Sequence, residues 1–184
     1  MKRAVAIAVI TGLGFGGLAA LAYSDWPSPA QPELQAPSHP RWSEAPWPFP
    51  ADEWGKGKAF RCATTDCGVE VNLYLRAKVG FCNCTTGVSD DEELERLADF
   101  NLMGQRPPPL GVGNPISVAW MKGRSRAYGH PQGSAFAIAF NDRCDAVVAT
   151  ALVAHPRPAA IEPGIIGFLN SKTILQWAET TLGL

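Results

Sequence analysis

From Val69 onward the chain alternates between apolar and polar positions. Val69, Val71, Leu73 and Leu75 fall on one side, and Glu70, Asn72, Tyr74 and Arg76 on the other. A period of two over this length predicts a half-buried strand running into Cys82 and Cys84. If the strand continues, those two cysteines share a face. The period then changes. In SDDEELERLADFNLM, Leu94, Leu97 and Ala98 recur at helical spacing, with Leu102 a turn beyond. Ser89 is placed to cap this helix, with Glu92 three residues later and an acidic first turn.

GQRPPPLGVGNP breaks the regularity and reads as a loop. PISVAWMKGRSRAYG follows as a strand, a turn near Lys122-Gly123 and a second strand. SAFAIAFNDRCDAVVATALVA predicts two more strands separated by NDRCD. In the first, Phe136, Ile138 and Phe140 face one way, and the small Ala137 and Ala139 face the other, leaving room for a helix to approach closely. HPRPAAIEPG reads as a rigid connector. Ser171 then opens a final helix carrying Ile174, Leu175, Trp177 and Ala178, which Gly183 stops. This order predicts a small α+β domain with a mainly antiparallel sheet, an acidic helix and a C-terminal helix, stabilised by disulfides.

The first 54 residues follow neither period. Lys2 and Arg3 precede an apolar or small run from Ala4 to Ala22, ending in a small-x-small pattern at Ala20-Leu21-Ala22. Residues 1–22 therefore read as a signal peptide cleaved before Tyr23, or as an uncleaved N-terminal membrane anchor. Both place the remainder in the periplasm or outside the cell. Residues 23–54 hold eight prolines and read as an extended arm. Its second half carries Trp42, Trp47, Phe49 and Trp54, aromatic groups expected to lie along the folded domain or on a partner. Residues 55–184 are expected to form one domain.

Composition narrows the function classes. Removing Lys2 and Arg3 from the 16 basic residues leaves 14 against 17 acidic ones, which gives no reason to expect a nucleic-acid partner. Five cysteines in an exported chain favour disulfides among Cys62, Cys67, Cys82, Cys84 and Cys144. Cys62 and Cys67 would close a short loop through ATTD, or either could meet another cysteine across the sheet. A direct Cys82–Cys84 bond is disfavoured on an extended strand. The competing reading is a thiol-based copper or redox protein. Cys82 and Cys84 would supply thiolates to copper or zinc, with His130 as a third ligand and Cys62, Cys67 or His155 as further candidates. Arg61, Lys78 and Arg143 are the cations that could lower a thiol pKa.

The chain has no CxxC, GxSxG, HExxH or GxxxxGK. GVGNP lacks the following helix that a phosphate cradle needs. The sequence therefore predicts an exported accessory or protein-binding domain, soluble after cleavage or tethered by residues 1–22, with no catalytic motif. Its partner is expected to be another exported or membrane protein. The expected contact residues are the arm aromatics and the basic cluster Lys122, Arg124 and Arg126, with the acidic helix face as a second charged patch.

Overall fold

The computed structural model of the chain describes residues 40–80, 83–103, 106–154 and 160–184. The expectations for residues 1–22, for the first half of the arm, for Cys82 and for His155 lie outside the described residues. The rest forms the expected α+β domain around a seven-stranded antiparallel sheet in the order β1-β2-β3-β7-β6-β5-β4. The strands are β1 (Trp42–Ala45), β2 (Lys58–Cys62), β3 (Val71–Lys78), β4 (Asn114–Val118), β5 (Met121–His130), β6 (Gly133–Asp142) and β7 (Asp145–Val153). The helices are the single turn α1 (Thr64–Cys67), then α2 (Asp91–Leu97), α3 (Glu162–Leu169) and α4 (Lys172–Leu182).

The strand alternation decides the layers. Val71, Leu73 and Leu75 of β3 line up with Phe136, Ile138 and Phe140 of β6 and Val147 and Ala149 of β7 on one face. Ile165 and Leu169 of α3 and Ile174, Ala178 and Leu182 of α4 close over that face. Ser171 and Gly183 bound α4 as the sequence predicts, with Gly183 in the left-handed conformation at φ 71°. The opposite face of β6 is Ala135, Ala137 and Ala139, and on it rest Leu94 and Leu97 of α2, both fully buried. Each of these leucines contributes about 1.5–3 kcal/mol by leaving water. The small-residue face thus admits a helix, as expected.

Other boundaries differ from the pattern reading. β3 ends at Lys78, and Gly80 at φ 67° turns the chain, so Cys84 lies in a loop and not on the strand. The sheet takes β1 from within the proline-rich arm, in the aromatic half that was expected to lie along the folded domain or on a partner. The four-residue β1 and five-residue β2 are too short to show a period. The helix α3 begins where a rigid connector was expected. Pro163 sits in its first turn, where no backbone N–H is needed, and burial of Ile165 and Leu169 offsets two weak glycine positions.

The turn between β4 and β5 falls at Ala119-Trp120, not at Lys122-Gly123. Gly123 is a mid-strand residue: a Cβ there would stand 2.1 Å from the Ala139 carbonyl oxygen and 2.6 Å from Phe140 Cα. The glycine serves close packing between strands, and that is why its turn signal misleads.

Two disulfides pin the ends of the sheet. Cys62–Cys67 ties β2 to α1 over a separation of 5 residues, and Cys84–Cys144 ties the loop before α2 to the β6–β7 turn over 60. Loop-closure entropy ranks them at about 2 and about 4 kcal/mol respectively.

Gly123→Ala is expected to cost about 1–3 kcal/mol in chemical denaturation, because the backbone of β6 must move. Gly164→Ala, in α3 with nothing within 4 Å of its added Cβ, is expected to stabilise by about 0.5–1 kcal/mol. Equal midpoints for the two variants would contradict the assignment of Gly123 to a packed strand.

Candidate functional site

Strand register builds a charged frame on the alanine face. Arg124 of β5, Ala139 of β6, Val148 of β7 and Arg76 of β3 form one cross-strand row. Lys122, Asn141, Ala146 and Lys78 form the next, and Arg126, Ala137, Thr150 and Tyr74 the one beyond. Cations therefore stand on both sides of a trough of small residues, and the acidic helix α2 lies in the trough.

The acids of α2 and the turn after it reach both sides. Asp91 pairs with Arg124 and stands 3.6 Å from Arg126. Glu95 binds Arg126 at 2.7 Å and Arg106 at 2.5 Å. On the other flank Asp99 meets Lys78 at 2.8 Å and Arg76 at 3.6 Å. Lys78 also donates to the Leu97 carbonyl at 2.7 Å, so the cation holds the C-terminal end of the helix. Arg76, Lys78 and Asp99 are 1%, 5% and 5% exposed, which makes this a buried ionic cluster. The helix cap is Asp90, whose Oδ1 accepts the Glu93 N–H at 2.8 Å. In the run Ser-Asp-Asp the carboxylate one residue after Ser89 takes the capping position.

The loop 46–57 between β1 and β2 straps over the outer flank. Trp47, Phe49 and Tyr74 meet edge to face, with ring centroids 4.9–6.1 Å apart. Trp47 covers the Arg76 guanidinium at 5.1 Å and Trp54 covers Lys78 Nζ at 5.4 Å. Asp52 accepts the Trp54 N–H at 2.9 Å and the Arg76 Nη1–H at 2.5 Å, which locks the strap tip to the cluster. At Gly57 the strap returns so close to β3 that a Cβ would meet the Leu75 carbonyl oxygen at 1.9 Å. Trp42 lies on the other face, stacked on Phe168 at 4.5 Å. The aromatic half of the arm packs against its own domain.

The second loop feature is GVGNP. Pro109 pairs with Tyr128 and Asn114 with Ser125, so five steps along this edge oppose three along β5. The surplus makes a bulge at Gly111-Val112-Gly113. The Gly113 N–H donates to both Asp91 oxygens at 3.0 and 3.2 Å, and the Gly111 carbonyl accepts from Arg126 Nε at 2.7 Å. The motif wraps an ion pair and leaves Val112 79% exposed at its tip.

The candidate contact and metal residues are thus distributed as follows. Arg124 and Arg126 lie in the body of β5, engaged by α2, and not at a hairpin tip; only Lys122 stays exposed, donating to Ser117 Oγ at 3.1 Å. The two charged patches of the sequence satisfy each other. Arg61 pairs with Glu70 and Arg143 with Asp142. Cys84 is consumed by its bond to Cys144 at one end of β6, and His130 closes β5 at the other. About 30 Å of strand separates them, against ligand bonds of about 2 Å, so Cys84 and His130 share no metal. Among the described residues no three His, Cys, Asp or Glu side chains converge to hold an ion.

Sequence reasoning missed Arg76, Lys78, Asp99 and Asp52 as one cluster. Alternation put Arg76 on the polar face of β3, and nothing in that pattern says the face is covered.

Two clefts open along the β4 side. One of about 380 Å³ is lined by Thr86, Ser89, Ile116, Ser117, Lys122 and Asn141. The other, about 170 Å³, lies among Leu110, Val112, Asn114, Ala127, Phe136 and Glu162. No histidine lines either one, and the fully buried Ser125 beside the second donates its hydroxyl proton to Glu162. The groups present suit binding: hydroxyls and one ammonium in the first cleft, an apolar wall with one carboxylate in the second.

The charge frame sets the acid response. Burial raises the Asp91 pKa, but hydrogen bonds from Arg124 and the Gly113 N–H, with the charges of Arg124 and Arg126, outweigh it and leave the carboxyl below its ordinary 3.8. Arg96 holds Glu93 below 4.5, and Arg76 holds Asp52 below 3.8. A depressed folded-state pKa gives stability that is complete above the unfolded value of about 4 and is lost as pH falls through the folded value. Unfolding free energy is therefore expected to decline below about pH 4–5, with a shallower slope in Asp91→Asn. Asp99→Asn is expected to cost about 3–5 kcal/mol at neutral pH, because two buried cations lose their shared anion. A cost below about 1 kcal/mol, the value for an exposed pair, would contradict the buried cluster.

No family model, curated protein or solved structure matches the chain, so its function rests on the clefts, edges and charges of its own fold.

Proposed function

We propose that the chain is an exported binding or accessory domain, and that its contact surface is the β4 edge of the sheet. The observation that carries this reading is where exposed apolar groups gather. Among the described residues the exposed large hydrophobic side chains are Val79, Leu110, Val112, Trp120 and Leu184. Three of these five lie on residues 108–120, beside the two clefts. Arg76, Lys78, Arg124 and Arg126 on the alanine face are already paired within the chain, whereas this edge presents apolar side chains that cost little to desolvate.

Two disulfides support an oxidising compartment, and the Lys-Arg and apolar pattern of residues 1–22 supports export with or without retention as a tether. No helix of the described residues is long and apolar enough to cross a membrane, so a tether would fall to residues 1–22. The partner is another exported or membrane protein. The arm aromatics serve the fold: Trp47, Phe49 and Trp54 cover the ionic cluster and Trp42 stacks on Phe168.

Intact-mass analysis of the protein from native soluble and membrane fractions, with and without alkylation, tests the compartment. The expected result is loss of residues 1–22 or recovery with membranes, and four cysteines protected until reduction. Chemical cross-linking in the same fractions tests the surface. Trp120→Ser is expected to weaken the cross-linked complex by about 2 kcal/mol, roughly thirtyfold. A fully reduced soluble protein of full length, or a complex indifferent to Trp120→Ser, would overturn the corresponding half of the proposal.

A further inference from the structure

The smaller β4-side cleft has a composition that specifies a ligand. Its walls are Leu110, Val112, Ala127 and Phe136, and its one ionisable lining group is Glu162, at the start of α3. Ser125, fully buried on β5, donates to Glu162 Oε1, and Asn114 Nδ2 donates to Oε2 at 3.4 Å. Two neutral donors thus fix the carboxylate without neutralising it. Among the described residues no cation lies within ion-pairing distance of Glu162, whereas Asp52, Asp91, Glu93, Glu95 and Asp99 each have one. Each carboxylate oxygen has acceptor capacity beyond its one bond.

Size and exposure agree with this. A cavity of about 170 Å³ matches the roughly 150 Å³ that accepts a benzene-sized molecule. Val112 and Leu110 at the mouth are 79% and 53% exposed, so the chain spends apolar surface where an entering alkyl group would cover it. An apolar pocket whose lining includes one oriented carboxylate, unpaired with any cation among the described residues, is complementary to a short alkyl chain ending in a cation.

We propose that this pocket binds a primary ammonium group carried on a chain of about four carbons, the chemistry shared by a free alkylamine and a lysine side chain. The assignment refines the reading of this edge as a contact surface. Its test needs no partner, so a failed titration removes the pocket and leaves the Trp120→Ser cross-linking result to stand or fall separately.

The experiment follows backbone amide shifts of the folded, disulfide-intact chain while n-butylammonium chloride is added. Butan-1-ol serves as the uncharged control and acetyl-Gly-Lys-Gly-amide as the peptide-borne lysine. Butylammonium is expected to give saturable shifts at Val112, Ala127, Phe136 and Glu162, with an affinity on the order of millimolar. Butanol should bind about tenfold more weakly. Saturation by the peptide as well identifies a lysine side chain as the natural group; saturation by butylammonium alone identifies a free amine.

Glu162→Gln keeps one carbonyl oxygen to accept the Ser125 hydroxyl, gives up the weaker 3.4 Å bond from Asn114 Nδ2, and is expected to reduce butylammonium binding about tenfold while leaving butanol unchanged. Val112→Asp, at an exposed position that cannot disturb folding by burial, should strengthen butylammonium binding and not that of butanol. The proposal is overturned by non-saturating shifts, by shifts that map elsewhere, by equal binding of butanol, or by failure of both variants to alter the amine's affinity.

Discussion

Everything on the alanine face depends on how a seven-residue helix is held in place. Alone, α2 is too short to persist in water, since nucleation costs more than two turns return. The sheet provides a trough shallow enough for Leu94 and Leu97 to reach its floor, because Ala135, Ala137 and Ala139 leave the space open. Hydrophobic contact of that kind is non-directional. Direction comes from charge: Asp91 and Glu95 reach β5, and Asp99 reaches β3. A helix rotated or shifted by one turn would take Asp99 away from the buried Lys78 and Arg76, a cost of several kcal/mol. The frame thus fixes orientation more than it adds stability. The strap, with Asp52 and two tryptophans, completes the dry side of the same cluster.

The parts of the fold that were legible in the sequence are those where one residue's environment repeats. Val71, Leu73 and Leu75 reveal β3, and the Phe/Ala alternation from Ala135 to Phe140 reveals both β6 and the helix that must cover it. Leu94 and Leu97 reveal α2 on the same grounds. What stayed hidden was set by tertiary contact. Gly123 reads as a turn because conformational freedom and lack of a side chain look the same in one sequence; here the second matters. Helix α3 reads as a connector because its glycines and proline outweigh the two buried positions that sustain it.

The candidate site was less legible than the fold, for a related reason. Arg124 and Arg126 are visible as a basic cluster, and residues 90–99 as an acidic run, but only the register shows that they face each other. Each was expected to seek a partner elsewhere and each finds it 31 to 33 residues away in the same chain. Glu162 carried no motif at all. Its interest comes from Ser125, Asn114 and Phe136, which are distant in sequence and meet only when α3 docks against the edge.

The GVG bulge has a consequence for the protein's behaviour in concentrated surroundings. A seven-stranded open sheet ends in two rows of unpaired backbone groups, an invitation for further strands to add from other molecules. On one side β1 is four residues long and runs into Pro46. On the other, Gly111-Val112-Gly113 interrupts the edge and Pro115 removes a donor from β4. Neither border offers the long, flat, regular edge that fibrillar growth requires. The irregularity that grips Asp91 from above therefore also lets an exposed apolar margin stay discrete, open to one recognised partner without templating a polymer of its own kind.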